Sequence, residues 1–137
     1  GKIKEMIFVD TSAIISLAIP ADTFHDIALR WRSQQDPAAL ITSNIVLIES
    51  LGWIRYKVGK SLAVEVGINM LSNTGIRIER VTMDDERNAW TLFKKADGRG
   101  ISMVDCTTAI LMKRLKLKDI FTFDRDFQML GLMVRPG

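Results

Sequence analysis

Ile3-Lys4-Glu5-Met6-Ile7-Phe8-Val9-Asp10-Thr11-Ser12 is the stretch that decides the fold. Residues 3–9 are rich in apolar and β-branched side chains, and the run stops at an acid followed by two hydroxyls. Short side chains of this kind start helices, because their oxygen accepts from a backbone N–H that the first turn leaves unpaired. The stretch therefore predicts a buried strand running straight into a helix over residues 11–18, stopped by Pro20.

The same alternation repeats along the chain. Phe24, Ile27, Ala28 and Trp31 have the spacing of an amphipathic helix over 24–35. A short second strand over 38–42 is followed by Ser43 as the cap of a helix over 44–58, which ends at Gly59, and by another helix over 62–72. Gly75 turns the chain into a strand over 76–81, and the Thr82/Asp85 pair is a capping box opening a helix to about Lys95. Gly98 and Gly100 mark a loop. Ser102 and Asp105 form a second capping box for a helix through Leu115. A strand over 119–123, a short helix over 124–130 and a fifth strand over 132–134 complete the chain. Strands alternating with helices predict an α/β three-layer sandwich, with a mostly parallel sheet of four to five strands flanked by helices. The expected organisation is a single domain, 1–137.

Composition bounds the function. At 137 residues, 47% hydrophobic and 26% charged, the chain is long enough for a real core without staples. The one cysteine, Cys106, leaves no intrachain disulfide and favours a reducing compartment. No apolar run reaches the ~20 residues that span a bilayer, and the first residues lack the pattern of a signal peptide. A cytoplasmic protein without a membrane partner is expected. Net charge is only +3, yet eight cations stand against two acids between Arg87 and Lys118. Such an excess attracts a polyanion, or else forms solvated helix faces.

Four acids carry the chemistry. Open parallel sheets bind ligands beyond the carboxyl ends of their strands, and Asp10 and Asp124 fall at two such ends. Asp105 lies in the first turn after the glycine loop, and Glu49 lies in an otherwise apolar helix entered directly from strand two. Taken singly, Asp10 and Asp124 read equally well as helix caps, and Asp105 as a capping-box acid. Glu49, flanked by Ile45, Leu47, Ile48, Leu51 and Trp53, is costly to bury without a partner. Gathered at one edge, the four would repel and their pKa values would rise unless a cation neutralised them. Oxygen ligands suit Mg²⁺ or Mn²⁺. A single His and a single Cys argue against zinc. His25 reads as a helix-surface residue and Cys106 as a small core residue. Phe24 and Trp31 read as core packing, with a partner or dimer surface as the other use.

The ordered set Val9-Asp10-Thr11-Ser12, Glu49, Ser102-Met103-Val104-Asp105 and Thr122-Phe123-Asp124-Arg125-Asp126-Phe127 resembles the PIN-domain family, most closely its short VapC-type toxin ribonucleases. The resemblance covers the whole chain. It implies a Rossmann-like sheet carrying a Mg²⁺- or Mn²⁺-dependent endoribonuclease, with Asp10, Glu49, Asp105 and Asp124 as the acidic residues. Thr11, Ser12, Ser102 and Thr122 would support them, and Asp126 shares the fourth acid's role with Asp124. Asp10 and Asp105 are the first choices for direct ligands; Asp124 would complete the site or hold a second ion, and Glu49 would bind through water or orient the nucleophile. Arg55, Lys57, Lys94, Lys95, Arg99 and Arg125 are candidate guides for the RNA backbone. The resemblance also implies an antitoxin partner, and a homodimer is the expected assembly.

The main alternative is a catalytically silent module of the same fold that binds RNA or protein. A receiver-like domain fits poorly, since Asp84 and Asp85 fall inside a helix start after strand three and the paired acids are absent after strand one. The commonest α/β phosphatase type needs a second acid two residues beyond Asp10, where Ser12 stands.

Overall fold

The computed structural model describes residues 6–72 and 75–137. Five strands form one sheet: β1 (Ile7–Val9), β2 (Leu40–Ser43), β3 (Arg77–Glu79), β4 (Asp119–Phe121) and β5 (Met133–Arg135). Their order is β3-β2-β1-β4-β5 and every pairing is parallel. Six α-helices accompany them: α1 (Thr11–Ala18), α2 (His25–Ser33), α3 (Asn44–Lys57), α4 (Lys60–Leu71), α5 (Met83–Lys95) and α6 (Met103–Arg114). The expected sandwich of a parallel sheet flanked by helices is found.

Strand order explains the layers. From β1 the chain steps one way to β2 and β3, then returns across the sheet to β4 and β5. Right-handed crossovers send the connections for opposite steps to opposite faces. α1 accordingly packs with α2 and α3, and α3 with α4, while α5 lies along α6. The sheet between them is dry: Phe8, Ile41, Ile120 and Phe121 are wholly buried and share the main core with Val46, Leu111 and Met112.

The strands are shorter than the sequence predicts. Residues 3–5 of the expected first strand lie outside the described residues, and the ladder begins at Ile7. Residues 37–39 form a 3-10 turn capped by the Asp36 carboxylate, so β2 starts at Leu40 and runs to Ser43. β4 stops at Phe121: the Thr122 amide makes a last bond to Arg135 O of β5, and the Phe123 amide turns instead to Ser12 Oγ. The segment expected as a short helix over 124–130 is a 3-10 helix, Arg125–Leu130, closed by Gly131 at φ 81°. Both predicted capping boxes are present, Thr82 with Asp85 and Ser102 with Asp105.

Candidate active site

The sheet changes direction between β1 and β4, so the connections leave a crevice at their carboxyl ends. Asp10 follows β1 and its amide extends the ladder to Phe121 O at 3.0 Å. Its carboxylate caps α1 and is only 5% exposed. Oδ2 accepts from Thr122 Oγ1 at 2.8 Å and from Ser12 Oγ at 3.1 Å. Ser12 Oγ stands 2.9 Å from Thr122 Oγ1 and accepts from the Phe123 amide at 2.9 Å. This knot of hydroxyls holds one carboxylate orientation and stitches β1 to β4.

Burial pushes the Asp10 carboxyl up to about 6; the Thr122 hydroxyl and the Thr11 and Ser12 amides hold it back, and the Asp105 charge adds to the rise. Asp105 is half-buried, with its Oδ2 on the Ser102 amide at 2.9 Å. Its pKa is also raised, first by burial and then by the charges of Asp124 and Glu49, against the Ser102 bonds. Asp105 is thus the acid whose charge reaches Asp10 and which itself feels Asp124 and Glu49. None of them takes part in an ion pair among the described residues.

Glu49 corrects one expectation. It lies on the exposed side of α3, beside exposed Ile48, so the argument from a costly buried glutamate does not hold. The physical reason is that α3 covers the core with Val46, Leu47, Ser50 and Ile54, leaving the intervening positions outside. Glu49 nevertheless reaches the crevice, where its Oε1 accepts from Thr11 Oγ1 at 2.5 Å. Asp124 caps the 3-10 helix by accepting from the Asp126 amide at 2.9 Å, and its own amide bonds to Thr122 Oγ1 at 3.0 Å. Asp126 turns toward the glycine loop instead. A Cβ on Gly100 would lie 2.5 Å from Asp126 Oδ2.

Among the described residues, no three of these acids stand close enough to grip one ion as they are placed. Carboxylates without a counterion repel; Asp10, Asp105 and Asp124 are each tethered to a helix start, and Glu49 to the Thr11 hydroxyl. The donor set still fits a hard divalent cation, since it offers carboxylate oxygens, a buried charge and no cationic partner. A cavity of about 420 Å³ lies away from the acids, lined by Val9, Leu17, Arg32, Val66, Met70 and others, with none of the four acids on its wall.

The cations that cluster in the sequence separate in space. Lys113 and Arg114 close α6, about 12 Å or more along its axis from Asp105 at ~1.5 Å per residue, and Lys116 and Lys118 follow its end. Arg114 is committed to Asp85, with Nη2 at 2.9 Å from Oδ2 and a further bond to Arg80 O at 3.0 Å. Lys94, Lys95 and Arg99 lie at the α5–α6 loop and are exposed, as is Arg125 beside Asp124. Arg55 and Lys57 occupy the last turn of α3, beyond Glu49 from the crevice. Lys57 rests over the Trp53 ring and Lys94 over the Trp90 ring. His25 opens α2 with Nδ1 2.7 Å from Ser16 O, and Cys106 is buried beside Ala89 and Ile101.

Sequence reasoning missed Asp22, whose carboxylate accepts from Ser16 Oγ at 2.8 Å and from the Phe24 amide at 2.9 Å. The signal was present: an Asp two residues before the bonded amide is an Asx turn. It also missed Phe123, which stacks on Phe24.

A parallel sheet of order β3-β2-β1-β4-β5 with acids at its switch point defines the class, and within it the chain belongs to the PIN-domain family, whose model matches residues 7–131. Its relatives include the 23S rRNA-specific endonuclease VapC20 of Mycobacterium tuberculosis, in strains CDC 1551 / Oshkosh and ATCC 25618 / H37Rv. Each is 38% identical over 133 residues, covering 96% of this chain and 99% of the relative. A crystal structure of M. tuberculosis VapC20, described as a sarcin–ricin loop cleaving toxin, superposes with a TM-score of 0.86 at 34% identity, covering 93% of this chain and 96% of that one. The structure of FitAcB from Neisseria gonorrhoeae shares the fold, with a TM-score of 0.72 at 17% identity over 94% of this chain and 96% of its own.

Proposed function

We propose that this chain is a VapC-type endoribonuclease that hydrolyses RNA phosphodiesters with the help of Mg²⁺ or Mn²⁺. The observation that carries the proposal is Asp10: a buried carboxylate at the switch point, pushed up to about 6 by burial and by the Asp105 charge, with no ion-pair partner among the described residues. A divalent cation is the partner such a group lacks. Nuclease activity in the VapC20 relatives supports the same reading.

Asp10, Asp105 and Asp124 would hold the ion, with Glu49 at the rim. When bound, it supplies Lewis acidity to the scissile phosphate and to an attacking water. Thr122 and Ser12 keep the Asp10 carboxylate in one orientation, which removes a rotamer search from binding. Thr11 does the same for Glu49, leaving its second oxygen to accept a hydrogen bond from water and orient it. Arg125, Arg99, Lys94 and Lys95 would guide the RNA backbone from the crevice margins, with Arg55 and Lys57 acting only on longer RNA.

The relatives' names make 23S rRNA, and its sarcin–ricin loop, the first substrate to try. A VapC-type toxin implies an antitoxin and action in the cytoplasm; no helix among the described residues is long and apolar enough to cross a membrane. Exposed Ile48, Tyr56, Val64 and Ile68 on α3 and α4 support a protein contact, with a homodimer as our reading. The test is RNA cleavage under Mg²⁺ and Mn²⁺ titration beside a folded Asp10→Asn variant. Cleavage that survives chelation, or equal cleavage by the variant, would sink the metal-site assignment. RNA binding without turnover would favour the silent module.

A further inference from the structure

Four aromatic rings run from the core to the lip of the crevice. Trp31 packs on Phe121 at 4.5 Å between centroids, Phe121 meets Phe123 edge-on at 6.0 Å, and Phe123 stacks on Phe24 at 4.6 Å with only 4° between the rings. Phe123 is the residue between Thr122 and Asp124, and its amide is bonded to Ser12 Oγ. Phe24 is 41% exposed despite the stack. The α1–α2 turn that carries the ring is fastened. The Asp22 carboxylate ties the Phe24 amide to Ser16 of α1, and the Ser16 carbonyl lies 2.7 Å from His25 Nδ1.

We infer that the Phe24–Phe123 stack is a platform on which one RNA base next to the scissile phosphate lies. A parallel ring pair offers a flat face, and unpaired RNA bases are held by stacking on such faces. Its rigidity is built in, so little ordering entropy is lost when a base lands. Exposed Arg125, two residues past Phe123, supplies charge for the adjoining phosphate. A protein side chain would also pack on the ring but does not require the parallel geometry or the continuity with the Asp10–Ser12–Thr122 knot.

The inference rests on the ribonuclease reading, and two separate readouts keep their failures apart. Sites cut by the native protein are first mapped on a mixed-sequence single-stranded RNA. Phe24→Leu should then raise KM ~10-fold or more with kcat nearly unchanged, while Phe24→Trp stays near native. Placing an abasic nucleotide at the stacked position should remove the difference between native protein and Phe24→Leu. The second readout needs no turnover: in chelator, 2-aminopurine in the same RNA should be quenched by the native chain and by Phe24→Trp, and not by Phe24→Leu. Quenching that persists in Phe24→Leu, or an unchanged KM, overturns the platform. So does a Phe24→Leu variant that loses kcat and melting temperature together, or one that only loses a protein partner. Native quenching without any cleavage would leave the platform standing and remove the nuclease reading.

Discussion

Thr122 donates its hydroxyl to the Asp10 carboxylate at 2.8 Å, from the strand that lies beside β1 but comes 112 residues later. That bond makes the two strand ends one unit. It also opposes the burial that raises the Asp10 pKa, so the hydroxyl adjusts the pH at which Asp10 ionises.

Thr122→Val keeps the volume and removes this donor. The Asp10 pKa should move further above 6, and the acid limb of the pH–rate profile should move with it. The loss in kcat/KM should be ~3-fold at pH 6.5 and approach ~10-fold below about pH 5, the equivalent of about 1.4 kcal/mol for a hydrogen bond to a charged group. Raising the pH should recover much of it. An acid limb that does not move would show that Thr122 is a packing residue only.

Asp10→Asn separates stability from activity. Below about pH 4 the group is protonated whether the chain is folded or not, and above about 6 it is charged in both. Between these values the folded chain holds a proton that the unfolded chain has released, so stability falls as pH rises through the window. The shift from 3.8 to about 6 corresponds to about 3 kcal/mol at neutral pH in the metal-free protein. Asn carries no charge, so the variant should melt up to ~10 °C higher at pH 7.5 without metal, and lose cleavage. Mg²⁺ should raise the melting temperature of the native chain only. Equal melting of the two metal-free proteins across pH 4 to 8 would contradict the buried-charge account.

Asp124 and Asp126 should differ when each is changed to Asn. Asp124 raises the Asp105 pKa by its charge, whereas Asp126 lies against Gly100. Asp124→Asn should lower kcat/KM at least ~100-fold, the upper end for side chains that orient metal ligands, and Asp126→Asn by less than ~10-fold. Reversed magnitudes in a Mg²⁺-titrated cleavage assay would make Asp126 the fourth acid.

Arg114→Met should damage the fold and spare the chemistry. Burial raises the Asp85 pKa, but the Arg114 guanidinium and the Thr82 amide and hydroxyl outweigh it and hold the carboxyl below its usual value. That contribution is present above about pH 4 and is lost as the pH falls through the lowered value. Leaving Asp85 buried without its partner should cost about 2 kcal/mol, discounted because Arg114 is 37% exposed. Denaturant melts at pH 7 should show this, with the gap from native narrowing on acidification, while kcat for folded protein stays unchanged. A gap that widens on acidification would contradict the assignment.

Local chemistry made much of this legible. The starts of α1, α3, α5 and α6 were readable because Asp10, Ser43, Thr82 and Ser102 bond to amides two or three residues ahead. The alternation of strands and helices, and the position of acids after strand ends, came from the same short-range patterning. Strand ends were less legible, because pairing stops where a competing bond begins, as at Phe123.

The sequence by itself therefore determined the class of fold, the helix starts and which four acids to watch, since these depend on residues near one another in the chain. Only the tertiary structure decided that Glu49 is exposed yet bonded to Thr11, that the cations between Arg87 and Lys118 divide between the two ends of α6, and that Phe24 lies flat on Phe123. Each of these joins elements brought together by the strand order β3-β2-β1-β4-β5. Their energies come from burial and long-range contacts, which have no periodic signature in the chain.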